Sequence, residues 1–310
     1  MKKAKALVLL SGGLDSILAT KLLLEQKLKI EALVFKSYFF DSGQAEVSAK
    51  KLGVKLRITD FSEKHFEIVK NPEYGYGKNM NPCIDCHILM LKGAKEIMAK
   101  RGFDFIATGE VLGERPMSQN RQAMALIEKQ SGLKGYLLRP LSAKLLEPTI
   151  AEEKGLVDRS RLLAIRGRSR KEQMALAKKW KINWFPAPAG GCLLTDIQFS
   201  KKLKDLIKNA PCPDINDMRL LKIGRHFWHE GREIIIGRDH QENLRLRELA
   251  GKKDILLEIK ECAGPTALVR GHKREIKGAA LQKAKRLVKF YAPKAKGLEE
   301  ISFNVLSPES

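Results

Sequence analysis

The sequence predicts an α/β protein in two parts: a parallel sheet with flanking helices, followed by a smaller α+β domain. In the first half, short β-rich runs alternate with helical patterns, which is typical of parallel strands joined by crossover helices. Residues 209–213 then form a linker with two prolines, and strand-like runs with a basic helix follow it. A chain of 310 residues, 44% of them hydrophobic, can bury two cores. We therefore expect domains over residues 1–210 and 211–310.

The first domain opens with the apolar run Ala6–Leu10, which predicts a buried strand, and an amphipathic segment that predicts a helix follows. The further strands are predicted over Ile30–Lys36, Val54–Thr59 and Phe105–Thr108, and the helices over Leu14–Gln26, Ala45–Leu52, Ile84–Arg101 and Glu172–Lys179. The carboxyl ends of parallel strands share one edge of the sheet, where ligands bind. We therefore expect one crevice to gather Ser11–Ser16, Phe35–Tyr38, Asp60 and Thr108–Glu110.

The second part of the chain carries shorter elements. A helix over Phe199–Lys208 precedes the linker. Strands are predicted over Glu233–Ile236, Ile255–Ile259 and Thr266–Val269, and a basic helix over Glu275–Tyr291. Mixed strands and helices without βαβ alternation favour an α+β domain.

The hexapeptide Ser11-Gly12-Gly13-Leu14-Asp15-Ser16 lies between the first strand and the first helix. Backbone N–H groups and the helix dipole make such a turn an anion site, and glycine lets the main chain approach a phosphate. The two serine hydroxyls add donors, and Asp15 offers a carboxylate for Mg²⁺. The segment is not a Walker A loop, because no Gly-Lys-Ser/Thr follows it. A Gly-Gly turn alone is common and often binds nothing, so the whole hexapeptide carries the prediction.

The formal net charge of +22 indicates a polyanionic partner, and nucleic acid is the usual one. Residues 201–310 hold 24 Lys+Arg against 15 Asp+Glu, so both halves of the chain contribute to the excess. The alternative is a solvated, lysine-rich surface of the kind found in heat-adapted proteins.

The sequence predicts a cytoplasmic protein. No apolar run approaches the roughly 18 residues that cross a bilayer. The first residues, Met1-Lys2-Lys3, lead into a short strand without the small-residue cleavage site of a signal peptide. Five cysteines in 310 residues are too few for a disulfide framework. They are therefore interpreted as thiols or metal ligands.

Three of the cysteines form a candidate constellation. Cys83 and Cys86 stand one helical turn apart at a predicted helix start, where the dipole is expected to lower the thiol pKa. Cys192 follows Gly190 and Gly191, which would let its loop approach a cluster or a substrate closely. A [4Fe–4S] cluster on three cysteines leaves one iron open for a sulfur species. The alternative is a persulfide on Cys192 that is resolved as a disulfide.

Zinc and simple thiols are the other interpretations of the cysteines. Structural zinc takes four ligands. His87 is the candidate fourth, but on a helix it would point away from the neighbouring Cys86. Cys212 and Cys262 have no partner pattern and are predicted to be ordinary thiols.

Taken together, the phosphate loop, the C-x-x-C pair, Ala107-Thr108-Gly109 and Gly190-Gly191-Cys192 resemble the tRNA thiouridine synthases of the PP-loop ATP pyrophosphatases. The similarity is to the 2-thiouridylase and 4-thiouridine synthase branches, over about residues 1–200. It implies an adenine nucleotide alpha hydrolase-like sheet and adenylation of a uridine carbonyl oxygen. It implies ATP contacts by Ser11, Gly12, Gly13, Leu14, Asp15, Ser16, Val34, Phe35, Thr108 and Gly109, and catalytic roles for Asp15, Cys83, Cys86 and Cys192.

Two departures from the family pattern matter. Asn81-Pro82-Cys83 resembles the Asn-Pro-Asp of 2-thiouridylases with Cys in place of Asp, which favours cluster chemistry over a persulfide. The family's Ala-Thr-Gly-His ends here in Glu110, so the histidine's role does not carry over. In the segment that shapes the family's pocket, Arg115 and Gln119 are candidates to contact phosphate or base. The alternative for Arg115 is an ion pair with a nearby carboxylate.

Basic residues on both halves are candidates for RNA contact. A dense basic run includes Arg166, Arg168 and Arg170, which either bind phosphate or form a solvated face. Residues 215–280 resemble the RNA-binding domain of NFACT proteins, around Phe227-Trp228 and the segment 234–244. This resemblance implies RNA contacts by Arg225, Arg238, Arg270 and Lys273. It makes Trp228 a core anchor or a stacking ring, and we expect His226 on the surface.

The resemblance as a whole implies an ATP-dependent tRNA uridine sulfurtransferase. Its cofactors would be ATP, Mg²⁺ and a [4Fe–4S] cluster, and its partners tRNA and a sulfur donor, either sulfide or a carrier such as a cysteine desulfurase. Two alternatives stay open: an amide-forming ligase that uses ammonia, and a non-catalytic RNA-binding protein. The sequence does not specify the uridine, the C2 or C4 position, the donor, or whether the chain is a homodimer.

Overall fold

The structure is a computed structural model that describes residues 3–187, 192–296, 298 and 300–308. The chain divides into two compact units, residues 1–195 and 196–310. The sequence placed the boundary fifteen residues later, and the helix Ile197–Asn209 accounts for the difference. Its Lys202 Nζ donates to the carbonyls of Leu221 and Gly224, 3.3 and 2.9 Å away, so the helix belongs to the second unit.

The first unit contains a five-stranded parallel sheet in the order β3-β2-β1-β4-β5. Its strands are β1 Lys5–Leu9, β2 Lys29–Lys36, β3 Lys55–Asp60, β4 Phe105–Ala107 and β5 Leu137–Leu138. Its helices are α1 Leu14–Glu25, α2 Gly43–Leu52, α3 Ser62–Lys70, α4 Cys83–Arg101, α5 Arg121–Ser131, α6 Ile150–Glu153 and α7 Lys171–Lys179. Short 3₁₀ turns span Ala143–Leu145, Arg159–Arg161 and Leu193–Thr195.

The apolar strands explain this architecture. Leu7 and Val8 of β1 are fully buried and point to opposite faces of the sheet. Leu7 packs in a core with α4 residues, while Val8 packs in another core with Leu22 and Leu23 of α1. A strand buried on both faces requires helices on both sides. The predicted parallel sheet with flanking helices is confirmed.

The second unit contains an antiparallel sheet in the order β10-β8-β9-β7-β6. Its strands are β6 Arg225–His229, β7 Arg232–Ile236, β8 Ile255–Ile259, β9 Ala267–Arg270 and β10 Phe303–Leu306. Its helices are α8 Ile197–Asn209, α9 Ile215–Leu220, α10 His240–Leu249 and α11 Gly278–Tyr291, and a 3₁₀ turn spans Pro293–Ala295.

Both faces of this second sheet are covered by helices. Ile234 and Ile236 of β7 pack with Ala284 of α11. Ile235, between them in sequence, packs on the opposite side with Leu246 of α10. This alternation is what strand geometry requires, and it confirms the predicted α+β domain. Among the described residues, no helix has both the length and the apolar character needed to cross a membrane.

Candidate active site

The phosphate loop depends on one of its two glycines for its path. Gly12 has φ +83°, a left-handed conformation, and a Cβ there would clash with the backbone of Gln44. Gly13 is the N-cap of α1 with φ −75°, and a Cβ there would lie 3.5 Å from Ser11 Oγ, which is ordinary contact. Gly12 therefore shapes the loop, whereas Gly13 leaves open space at the start of the helix.

The hydroxyls of the loop bond to each other. Ser11 Oγ lies 3.2 Å from Ser16 Oγ, and Ser16 Oγ donates to the Gly13 carbonyl at 2.8 Å. Behind the loop, Gly109 after β4 lies against the start of α1. A Cβ at this position would lie only 2.5 Å from the Ser16 backbone nitrogen. The strand end and the start of α1 thus form one rigid wall.

A cavity of about 860 Å³ opens at the carboxyl ends of β1, β2 and β4. Most of the predicted site residues lie around it. They are Ser11, Gly13, Leu14, Asp15, Ser16, Val34, Phe35, Thr108, Gly109, Arg115, Gln119, Arg168, Arg170 and Cys192. Gly12 lies behind this surface. Asp60 does not line the cavity, because it ends the second strand from β1 and pairs with Lys36 at 3.2 Å.

Asp15 and Arg170 face each other in this cavity. Arg170 Nη2 lies 3.7 Å from Asp15 Oδ2. Asp15 Oδ1 and Arg170 Nε are both buried, and neither has a hydrogen-bond partner within the described part of the chain. Burial raises the pKa of Asp15, and the charge of Arg170 opposes that rise. The site therefore contains a carboxylate oxygen and a guanidinium N–H that the described residues leave without a hydrogen bond.

Glu110, at the position where the sequence resemblance led us to expect a histidine, anchors a buried ionic network. Its carboxylate accepts from Arg139 Nε and from Thr108 Oγ1, both at 3.0 Å, and lies 3.0 Å from His87 Nδ1. Arg139 also reaches Glu128 at 2.8 Å. Burial opposes ionisation of Glu110, but the positive charge of Arg139 and the bond to His87 outweigh it and lower its pKa to about 2.

This network was not predicted from the sequence, although Glu110 stands where a histidine was expected. The available signal was the pair of charged residues, Glu110 and Arg139, placed just after two neighbouring strands, β4 and β5. His87 bonds to Glu110 and is therefore committed to the network.

The three candidate cysteines lie near one another and are all free thiols. Burial, together with the proximity of Cys192 and Cys83, raises the pKa of Cys86 well above its usual range. Burial also raises the pKa of Cys83, and it raises the pKa of Cys192 to about 11. The expectation that the helix start lowers the thiol pKa is wrong, because loss of solvent dominates at Cys83, the first residue of α4.

The sulfur positions also test the type of metal site. Cys83, Cys86 and Cys192 do not form a group with all three sulfurs within 4.8 Å, although all three residues are described. Sulfurs on one tetrahedral zinc ion lie closer than this, at Zn–S distances of about 2.3 Å. The arrangement therefore does not fit mononuclear zinc. Gly190 and Gly191, expected to let the Cys192 loop approach closely, lie outside the described residues.

The arginines of the basic run in the first unit have three environments. Arg168 and Arg170 line the cavity. Arg159 bonds to Glu152 and Arg161 to the Glu25 carbonyl, so both help to hold the fold. The backbone of Arg166 forms an isolated bridge with Leu112, and its side chain is exposed.

Two of the predicted RNA contacts in the second unit are occupied by carboxylates. Arg270 is 8% exposed, and its guanidinium lies 2.7 Å from Asp217 and 2.9 Å from Asp214. Arg238 Nε bonds to Glu242 at 3.0 Å. Arg270 is therefore a buried cation paired with carboxylates of its own unit.

The remaining second-unit candidates differ in exposure. Lys273 is exposed, and the Arg225 guanidinium lies 4.6 Å from the centre of the Tyr291 ring. Trp228 is half-buried and stacks on His272, with ring centres 5.1 Å apart. His226 was expected on the surface, but its side chain is 3% exposed.

A buried ionic cluster explains the position of His226. Its Nδ1 lies 2.7 Å from Glu233, whose other oxygen lies 3.0 Å from His272 Nε2. Burial opposes ionisation of Glu233, but the two histidines outweigh it and lower its pKa to about 2. Asp217, Glu233 and His272 have ligand atoms within 4.8 Å of one another. Arg270 already supplies a cation to Asp217, and His226 and His272 bond to Glu233, so this group is an internal polar cluster.

Comparisons with known proteins cover both units. Residues 1–150 match the family described as "Thiamine biosynthesis protein (ThiI)". Residues 224–310 match the family described as "NFACT protein RNA binding domain". Both resemblances predicted from the sequence are confirmed at this level.

Individual relatives are more distant. A tRNA-specific 2-thiouridylase MnmA from Stutzerimonas stutzeri (strain A1501) is 26% identical over 240 residues, which are 73% of this chain and 61% of that protein. The chain thus spans less than two thirds of this relative's length. Among solved structures, a 4-thiouridine synthetase–RNA complex with bound ATP is 20% identical with a TM-score of 0.37, covering 71% of this chain and 52% of that one. An NH3-dependent NAD synthetase from Campylobacter jejuni is 15% identical with a TM-score of 0.38, covering 72% and 83%.

Proposed function

We propose that the protein is an ATP-dependent tRNA uridine sulfurtransferase that acts in the cytoplasm. The observation that carries the proposal is that one cavity contains both the phosphate loop of the PP-loop domain and Cys192, one of three neighbouring thiols. Adenylation and sulfur delivery need a shared site, because the activated base must meet sulfur before water reaches it. The matched thiouridylase is described as tRNA-specific, which supports the substrate class.

The cavity offers a complementary site for ATP. Ser11, Gly13 and Ser16 present donors at the start of α1, where the helix dipole favours phosphate. Val34 and Phe35 give an apolar edge at the end of β2 that suits an adenine ring. Arg115, Arg168 and Arg170 line the same space and neutralise phosphate charge.

The donor set at Asp15 fits a magnesium ion. Its Oδ1 is buried and unpaired within the described residues, and burial raises the pKa of the group by disfavouring its charged form. A cation beside a polyphosphate removes that penalty, and Mg²⁺ prefers one or two carboxylate ligands together with phosphate oxygens. We infer that Asp15 holds Mg²⁺ when ATP is bound.

The three thiols fit an iron–sulfur cluster better than a free nucleophile. A reactive cysteine lies in an electropositive, exposed site that stabilises its thiolate. Here burial raises the pKa of all three thiols, so they are protonated near neutral pH unless a metal binds them. We infer that Cys83, Cys86 and Cys192 hold a [4Fe–4S] cluster. When bound, it would supply an open iron able to present sulfide to the base.

The reaction consists of two displacements, the first releasing pyrophosphate and the second AMP. The uridine carbonyl oxygen attacks the α-phosphorus of ATP while pyrophosphate leaves, and the neighbouring ring nitrogen releases its proton to water. Hydrosulfide then attacks the ring carbon, the C–O bond to AMP breaks, and the hydrosulfide proton ends on the ring nitrogen. The loop N–H groups and the cavity arginines stabilise the negative charge that develops on the phosphate. A base inside a helix must be flipped or unstacked to reach such a cavity.

Incubation with unmodified tRNA, ATP, Mg²⁺ and sulfide tests the proposal. We expect AMP, pyrophosphate and one thiolated uridine per tRNA, which nucleoside mass spectrometry assigns to the C2 or C4 position. Anaerobically purified protein should absorb broadly near 400 nm with about four irons per chain. ATP cleavage with ammonia and a carboxylate, but without RNA, would instead establish an amide ligase. RNA binding without any ATP cleavage would leave only a binding protein.

A further inference from the structure

The charge of the second unit is concentrated at its last helix. Residues 276–298 contain seven Lys or Arg residues and no Asp or Glu. They therefore carry about a third of the chain's net charge of +22. Four of the seven lie on α11 itself: Lys283, Lys285, Arg286 and Lys289. Such a concentration of one sign on and around one helix is the electrostatic footprint of a polyanion site.

The basic residues of α11 lie on its solvent face. Ala280, Ala284 and Val288 are buried against the sheet. On the exposed side, residues three or four positions apart form one stripe along the helix: Lys283, Arg286, Lys289 and Phe290. We name this set the α11 stripe. Its three cations have no ion-pair partner among the described residues, so their charge is available to a ligand.

Phe290 is the unusual member of the stripe. It is 71% exposed, more than any other large hydrophobic side chain in the described part of the chain. Its ring meets Tyr291 edge-on, with centres 4.9 Å apart, and the Arg225 guanidinium packs on Tyr291. The ring is therefore positioned by neighbours while its face stays in solvent. An aromatic face among cations suits a nucleic-acid base with its flanking phosphates.

The other predicted RNA residues of the second unit differ in exposure: Lys273 and Arg238 are exposed, Arg225 is half-buried and Arg270 is buried. Arg270 and Arg238 form ion pairs with carboxylates. Arg225 instead packs on the ring of Tyr291, the residue next to Phe290. A purely solvated basic face would not account for an exposed phenyl ring. A duplex would use the cations but leave the ring without a partner, because paired bases are stacked on each other.

We propose that the α11 stripe binds RNA at an unpaired nucleotide. Lys283, Arg286 and Lys289 contact phosphates on either side of it, and its base stacks on Phe290. The proposal rests on the proposed function only in taking RNA as the partner. It assigns to unit two a preference for loops or ends of RNA, which is separate from the chemistry of the cavity.

The charged part is tested with the full-length triple variant Lys283→Ala, Arg286→Ala, Lys289→Ala. The matched control removes three exposed lysines from α8 of the same unit: Lys201→Ala, Lys204→Ala, Lys208→Ala. RNA affinity is measured by fluorescence anisotropy at salt concentrations from about 50 to about 300 mM, because phosphate contacts make the affinity depend on salt. We expect the slope of log affinity against log salt to fall by about 2–3 in the stripe variant only. An equal change in both variants would overturn the assignment.

The aromatic part is tested with Phe290→Ala against Ile197→Ala, an isoleucine of α8 that is 66% exposed. For an RNA hairpin with an unpaired loop, we expect Phe290→Ala to weaken binding roughly 5- to 150-fold with an unchanged salt slope. For a fully paired duplex, the two variants should bind equally. Equal affinities for the hairpin would show that no base stacks on Phe290.

These readouts separate the inference from the proposed function. RNA affinity is measured without ATP, so loss of thiolation with intact binding would refute the sulfurtransferase and leave the α11 stripe assigned. If the wild type thiolates tRNA but the stripe variants bind RNA normally, the α11 stripe assignment is refuted and the sulfurtransferase stands. Thermal unfolding of each variant should match wild type, because all the substituted side chains are exposed.

Discussion

The two units differ in how far their buried polar groups are paired with other groups of the protein. In the cavity of the first unit, Asp15 Oδ1, Gln119 Oε1 and Arg170 Nε are buried without partners among the described residues. In the buried cluster of the second unit, Arg270 contacts three carboxylates and Glu233 contacts two histidines. Asp217 Oδ1, which lies 2.7 Å from Arg270 Nε, and Trp228 Nε1 are the buried polar side-chain atoms of this unit without a hydrogen bond among the described residues. An unpaired buried polar group costs about 1–3 kcal/mol. The first arrangement is therefore suited to a ligand, and the second stabilises a fold.

This difference distinguishes charged groups that would bind a ligand from charged groups that stabilise the fold. Substitutions at the cavity should reduce activity with little effect on unfolding. Substitutions in the buried cluster of the second unit should reduce the free energy of unfolding and affect activity only through it. The Glu110–Arg139 network is the exception in the first unit, since it is buried and fully paired beside the cavity.

The largest effect is expected at Cys192, which would show that the cavity acts through the thiols. Cys192→Ala should lower the rate of sulfur transfer on the order of 10³-fold or more, because it removes a group without a substitute. Adenylation, measured as ATP–pyrophosphate exchange, should stay within a few-fold of wild type. Cys212→Ala removes an exposed thiol and serves as the control. Normal thiolation by Cys192→Ala would contradict the role of this cysteine.

Arginine substitutions in the two units compare charge directly. Arg270→Met leaves Asp214, Asp217 and Asp254 without their shared cation, and we expect a loss of about 3–5 kcal/mol in unfolding free energy. Arg170→Met should leave unfolding nearly unchanged but weaken ATP binding. Chemical denaturation and ATP titration measure the two effects. Equal destabilisation by both variants would break the comparison.

Acid should destabilise both units through their buried glutamates. Glu110 and Glu233 each have a folded-state pKa of about 2, well below the ordinary glutamate pKa. Their stabilisation is therefore complete above about pH 4.5 and is lost as the pH falls toward 2, on the order of 3 kcal/mol each. Trp228 reports on the second unit once Trp180 and Trp184 are changed to Phe. In that background, Glu233→Gln should flatten the acid dependence and Glu110→Gln should not.

The two loop glycines give a smaller, discriminating test. Gly12→Ala forces a left-handed residue and a backbone clash, so we expect a loss of about 1–3 kcal/mol in unfolding free energy. Gly13→Ala meets only ordinary contact and should unfold like wild type. It should still weaken ATP binding, because its methyl group enters the space for phosphate. Thermal unfolding with and without ATP separates the two outcomes.

The sequence predicted the parts of the fold that local apolar patterns determine. The fully buried β1 and the long helix α4 are examples. Helix α3 was missed, since only His65, Phe66 and Val69 of its nine residues are buried and the segment is otherwise polar. Strand β5 has two residues, too few for any pattern.

The site was predictable where neighbouring residues in sequence make it. The phosphate loop is one hexapeptide, and its position followed from the strand before it. The ion-pair and hydrogen-bond partners of individual charged residues were not predictable from the sequence. The partners of Arg270 come from α9, its N-cap and the start of β8, and those of Glu233 come from β6 and the segment after β9. Residue type alone does not distinguish such an arginine from one that faces RNA.

The most direct test of the account is to follow the label of [α-³²P]ATP with unmodified tRNA and Mg²⁺ in the absence of any sulfur donor. The account predicts that label becomes attached to RNA in wild type and in Cys192→Ala, and that Asp15→Asn abolishes the transfer. Added sulfide should then release labelled AMP from wild type only. Cleavage of ATP to AMP with no label on RNA at any time would contradict the central claim that this cavity adenylates a uridine.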